Sequence, residues 1–116
     1  MRVLRFAVAQ PGPWQSPNIT AEVHKWVPLP AGQEQVDISF IKFPPGVCTT
    51  FHVHATDQML IAVDGIGFIE TTTGGRAEFR PGDMVHCPAG ERHRHGAVQD
   101  AHLDQVSIVI ANRLLQ

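Results

Sequence analysis

Short runs of alternating or β-branched residues recur along the chain, broken by turn-forming residues every eight to twelve positions. The runs at 2–9, 21–29, 35–43, 47–54, 58–64, 67–73, 77–79, 83–88 and 102–110 each read as strands. Val, Ile, Thr and Phe favour pleated, half-buried positions. Ten glycines and nine prolines supply the punctuation. No window holds a 3.6-residue apolar stripe long enough for a helix. Many short strands with regular turn signals predict an all-β, antiparallel sandwich or barrel. The stretch 71–77, with Gly74 and Gly75 side by side, predicts a hairpin turn. Three prolines make 10–18 a predicted loop. The stretch 80–96 reads as turn, strand, turn, strand.

A length of 116 residues suits one domain spanning 1–116, long enough to bury a core without staples. The net charge of −2, with scattered basic residues, gives no nucleic-acid footprint. No apolar run reaches membrane-spanning length. The N-terminal run is too short and too charged for a secretory signal. Cys48 and Cys87 are far apart and form no CxxC pair, so they read as free thiols in a reducing compartment. The expectation is a soluble, cytoplasmic protein.

The candidate chemistry lies in seven histidines. Residues two apart on a strand face the same way. His52 and His54 therefore share one face, with Phe51 and Val53 on the other, and two such imidazoles can chelate one ion. Gln58 reaches the same ion if 55–57 form a tight turn. His93 and His95 repeat the spacing about forty residues later, and either completes the site if their strand lies beside the first pair. His24 has no partner in sequence. His86 faces away by parity.

Two motifs carry a resemblance to the cupins. Gly46, His52, His54, Gln58 and Gly65 fall on the first, G-x5-HxH-x3-4-E-x6-G, with Gln in place of Glu. Gly82, Pro88, Gly90 and His93 fall on the second, G-x5-PxG-x2-H-x3-N, with Ala97 in place of Asn. The resemblance implies a cupin-type antiparallel β-barrel, of jelly-roll or double-stranded β-helix type. It implies a divalent transition metal (Mn, Fe, Ni or Zn) on His52, His54, Gln58 and His93. The sub-pattern resembles small bacterial cupins that include hydroxynitrile lyases, although Ala55, Asp57 and Arg94 stand where that group usually carries Pro, Gly and Trp.

A neutral Gln leaves a bound ion more positive than Glu would, which favours Lewis-acid work. In the resembling group a further His precedes an apolar residue on the last strand, and His102 fits that place. If His102, Asp104, Val106, Ile108 and Ile110 form the lumen face, His102 is a general base near the metal. Otherwise it is a surface His at a strand start. His95 is a second candidate base or hydrogen-bond donor. Thr50, Gln58 and Asp104 are the expected polar lining, and Cys48 shares the parity of His52.

The leading expectation is a metal-dependent lyase- or isomerase-type enzyme on a small molecule. The alternatives are a metal-dependent dioxygenase and a non-catalytic ligand-binding module. The partners expected are a small-molecule substrate and, from the resemblance, a second copy in a homodimer, with no nucleic acid and no membrane. Trp14 and Trp26 are candidates for that contact or for closing the barrel end.

Overall fold

A computed structural model describes residues 1–28 and 36–110. Nine strands are present among them: β1 (Gly12–Trp14), β2 (Val23–Trp26), β3 (Val36–Phe43), β4 (Gln58–Gly65), β5 (Gly67–Thr71), β6 (Arg76–Phe79), β7 (Met84–Cys87), β8 (His93–Ala97) and β9 (Leu103–Ile110). All named pairings are antiparallel. They form a six-stranded sheet, β1-β2-β3-β9-β4-β7, and a three-stranded sheet, β6-β5-β8. No helix among the described residues is long and apolar enough to cross a membrane.

Alternation sets the two faces of the larger sheet. Across the ladder, Lys25, Ile41, Gln105 and Ala62 lie opposite one another in one inner row. Trp26, Phe40, Val106 and Ile61 form the neighbouring outer row. The core between the sheets joins Val23, Phe43, Leu60, Ile69, Phe79 and Leu103. Each such buried side chain contributes about 1.5–3 kcal/mol relative to exposure.

Two expectations fail at the N-terminus. The run 2–9 is not a strand; Phe6–Val8 form a 3₁₀ turn. Phe6 stacks on Phe40 at 4.7 Å and meets Trp26 edge-on at 6.1 Å, so this run covers the outer row instead of joining a sheet. The loop expected at 10–18 contains β1, which occupies the edge of the sheet, where a proline is tolerated. The ends of two expected strands, Leu29 and Gln35, lie outside the described residues.

The hairpin between β5 and β6 forms as expected, closed by Thr71 N–H on the Gly75 carbonyl at 2.8 Å. The glycines of both motifs, Gly46, Gly65, Gly82 and Gly90, all have positive φ. At Gly65 space is decisive as well, since a Cβ would fall 1.9 Å from the His102 carbonyl oxygen. The segment 47–54 is not a regular strand. It is joined to its surroundings by isolated bridges, Ile19 to Thr49, Cys48 to Gly96 and His52 to His93.

Candidate metal centre

Those bridges bring the two H-x-H pairs together. His52 and His93 exchange both backbone hydrogen bonds, at 2.8 and 2.9 Å. Thr49 N–H donates to the His95 carbonyl at 2.8 Å, and Ala97 N–H to the Val47 carbonyl at 2.9 Å. Gly96 permits the approach: a Cβ there would lie 2.4 Å from both Cys48 Cα and the Val47 oxygen. The ring centroid of His52 consequently lies 4.6 Å from that of His93, 5.0 Å from His54 and 5.5 Å from His95. His54 and His93 are 5.8 Å apart by the same measure.

The backbone also fixes which ring nitrogen is free. His52 Nδ1–H donates to the Thr50 carbonyl at 2.8 Å, and His93 Nδ1–H donates to the Glu91 carbonyl at 3.0 Å. Their Nε2 lone pairs are left for a ligand. Gln58, buried at the start of β4, donates from Nε2 to Ser107 Oγ at 2.8 Å. Its Oε1 then lies 3.0 Å from His93 Nε2. With Nδ1 carrying the proton of a neutral His93, this is a contact between two acceptors. His54 Nε2 is buried without a hydrogen-bond partner, and so is His95 Nδ1. Converging lone pairs with no proton between them suit a cation, so the residues fit a metal ion. The candidate ligand atoms of His52, His93 and His95 all lie within 4.8 Å of one another.

Electrostatics points the same way. Burial first, then neighbouring imidazoles, holds the pKa values of His52 and His54 below the ordinary histidine value. For His52 the Thr50 hydrogen bond opposes that shift. Burial, reinforced by His52 and His93, pushes His95 down to about 3. Neutral imidazole is the form that binds metal, so no proton has to be displaced first.

The cluster opens into a cavity of about 370 Å³. Ile41, Phe43 and Val109 give it apolar walls; Thr49, Ser39 and Ser107 add hydroxyls. This volume sits at the low end for small-molecule sites, roughly 300–1,000 Å³.

The structure thus brings His52, His54, Gln58, His93 and His95 together, but not His102. Leu103 is fully buried in the core, so β9 turns Gln105, Ser107 and Val109 inward and Asp104, Val106 and Ile108 outward. The expected lumen face therefore has the opposite phase. His102 is exposed, with Nε2 2.9 Å from Asp64 Oδ2, and it groups with Asp64 and Asp104. Thr50 is exposed too, and Cys48 lies in a separate small pocket beside Gly46 and Arg94. Val53 lines the cavity alongside His52 and His54, so strict alternation is lost where the segment is irregular.

Asp57 does not touch a metal-site histidine. It accepts from His86 Nε2 at 2.8 Å and Ala89 N–H at 2.9 Å, and so clamps the turn before β4 to the turn before β8. Both cysteines are free and buried. Two residues that serve the site were missed in the sequence, Ser107 and the fully buried Gln105. Gln105 lies beside His95.

The Cupin domain family matches residues 39–109, more than half of the chain, and the chain belongs to that family. It is thus a cupin with a His₃/Gln-type metal-binding cluster. Within the family, it is 35% identical over 68 residues to (R)-mandelonitrile lyase of Granulicella tundricola. That match covers 59% of this chain and spans 52% of the relative's length, about half. A cupin-like protein from Thermotoga maritima superposes with a TM-score of 0.84 at 26% identity, covering 92% of this chain and 83% of that one. Two further structures share the fold. One, described as a predicted oxalate decarboxylase from Thermotoga maritima, has a TM-score of 0.80 at 20% identity, covering 95% of this chain and 99% of that one. The other, a cupin 2 conserved barrel domain protein from Salinispora arenicola, has a TM-score of 0.72 at 22% identity, covering 99% and 92%.

Proposed function

We propose that this cupin is a metal-dependent enzyme acting on a small oxygenated molecule by lyase- or isomerase-type chemistry, without an external redox cofactor. One observation carries the reading. His93 Nε2 and Gln58 Oε1, both acceptors, face each other 3.0 Å apart, beside the unpartnered His54 Nε2 and the ring of His52, and no carboxylate is among the described residues lining the cavity. A divalent ion held by these residues would supply Lewis acidity to a substrate oxygen.

The chain's own residues do the rest. Thr50 and Glu91 carbonyls lock the rings of His52 and His93 in one tautomer. Ser107 holds the Gln58 amide in register. A neutral Gln58 would leave the charge of a bound ion uncompensated and so strengthen its pull on an oxygen ligand. His95 stays neutral with a pKa of about 3, too low for it to hold a proton, and its place in the cavity suits it to hydrogen-bond and orient a substrate hydroxyl. Of the two histidines expected as bases, His95 is the one placed in the cavity. The relative's name, (R)-mandelonitrile lyase, supports the reaction class. Cyanohydrin cleavage takes a proton from a hydroxyl, forms a carbonyl and releases cyanide.

The test is turnover by metal-refilled protein under anaerobic conditions, with mandelonitrile and small 2-hydroxy and 2-oxo acids as substrates. Turnover should persist without O₂, stop on chelation, and fall roughly 10-fold in His95→Ala. Turnover that consumes O₂ stoichiometrically would replace this reading with a dioxygenase. Tight binding with no turnover would leave a ligand-binding module.

A further inference from the structure

Lys25 is the basic residue among the described residues that line the cavity of the histidine cluster. It lies on the inner face of β2, two residues after the fully buried Val23, and it lines the same cavity as His52, His54, Gln58 and His95. Its ammonium sits 4.0 Å above the Trp14 ring. The ion pairs among the described residues use Lys42, Arg76, Arg80 and Arg94, and none involves Lys25. No Asp or Glu is among the described residues that line the cavity. Half-burying an ammonium without a counter-charge costs stability, and burial pulls its pKa below the ordinary lysine value.

Position adds direction to charge. Lys25 lies opposite Ile41, which lies opposite Gln105, the residue beside His95. Two strand spacings put the backbone of Lys25 about 10 Å from that of Gln105. A lysine side chain and a two- or three-carbon molecule together span that gap. The cavity would then hold a cation at one end and, if the reading of the metal centre is right, a second cation held by neutral ligands at the other. Nothing among the described lining residues neutralises either.

We propose that the occupant of this cavity is a small organic acid, whose carboxylate pairs with Lys25 while its hydroxyl or carbonyl oxygen turns to the histidine–glutamine cluster. This rests on the metal-centre reading for the second contact, and on Lys25 alone for the first. It makes Lys25 a specificity-determining residue that selects an anion over a neutral analogue of the same shape. The single lysine and the apolar walls favour a monocarboxylate over a phosphoryl group, which would need further donors at the same end.

The experiment is calorimetric titration of lactate and of lactamide, which differ in charge and hardly in shape, into Zn²⁺-refilled and metal-free protein. Inorganic phosphate is a third probe, and metal content is measured separately on each sample. Lactate should bind refilled wild type at least about 10-fold more tightly than lactamide, as expected for a charge-assisted hydrogen bond. Lys25→Met, which keeps the stem against Trp14, should remove that preference and leave lactamide binding and zinc content unchanged. Lys25→Arg should restore most of it.

In metal-free protein the preference should persist at lower affinity, because Lys25 supplies it. Equal binding of lactate and lactamide, a preference untouched by Lys25→Met, or phosphate displacing lactate as the tighter ligand would each overturn the proposal. Zinc content decides the metal reading independently. Protein that fails to hold zinc but keeps the Lys25-dependent preference would refute the metal centre and leave the acid site standing.

Discussion

Replacing Gly96 with alanine should damage the fold and the metal centre together, because one close contact serves both. At Gly96 the new methyl would fall 2.4 Å from Cys48 Cα, 2.4 Å from the Val47 oxygen and 2.5 Å from Cys48 Cβ. Ordinary carbon contacts lie at about 3.5–4.0 Å, so segment 47–54 and β8 must separate by about 1 Å. Two of the three contacts are backbone, and no side-chain rotation relieves them. Overpacking of this kind costs about 1–3 kcal/mol. The flanking bonds, Thr49 to His95 and Ala97 to Val47, stretch with it, at about 1 kcal/mol each.

The combined loss is roughly 3–5 kcal/mol, which for a domain of this size lowers Tm by roughly 12–20 °C. The same separation moves His52 and His54 away from His93 and His95, so zinc affinity should fall at least about 10-fold. Thermal unfolding followed by circular dichroism and zinc titration measure the two effects. Gly12→Ala is the control, since a Cβ there meets nothing within 4 Å; it should shift Tm by no more than about 2 °C. A Gly96→Ala protein with wild-type Tm and wild-type zinc affinity would refute the packing account of how the histidines are assembled.

Other predictions follow from the same geometry. Ser107→Ala removes the acceptor that orients the Gln58 amide, and zinc affinity measured by calorimetry should fall roughly 10–100-fold; no change would mean that Ser107 does not set the amide. His102→Ala should leave zinc content and lactate binding unchanged, because His102 pairs with Asp64 outside the cavity; loss of either would put it in the site.

Acidification should destabilise the metal-free protein. His95 has a pKa of about 3 when folded, against 6.5 as an unperturbed histidine. The unfolded chain therefore binds the proton first. The stability contributed by this group is complete above about pH 6.5 and falls by up to about 1.4 kcal/mol per pH unit towards pH 3. Urea unfolding across that range should show a shallower slope in His95→Gln, and an identical slope would contradict the burial of His95.

The motif residues were legible because spacing and turn chemistry constrain them locally. His52, His54, Gln58 and His93 sit in frames whose glycines all adopt positive φ, and those frames bring them together. What the sequence left open was phase. In "HLDQVSIVI" apolar residues occur on both faces, because Phe40 and Phe6 cover the outer row near Val106. Alternation alone then does not say which face is inner, and a register slip of one residue exchanges them. Alternation leaves His102 and Asp104 free to face either way, and it is Gln105 and Ser107 that lie inside. Lys25 was hidden for a related reason. Charge in a strand ordinarily marks the solvent face, and only the buried Val23 on the same side shows that this one points inward.

The central claim is that His52, His54, His93 and Gln58 hold a metal ion. Elemental mass spectrometry of protein purified without a histidine tag tests it most directly, with wild type beside His52→Ala/His93→Ala. The account predicts close to one equivalent of Mn, Fe, Ni or Zn per wild-type chain, and its loss in the double variant with circular dichroism unchanged. Wild type that stays metal-free even after refilling, or a double variant that retains its metal, would contradict it.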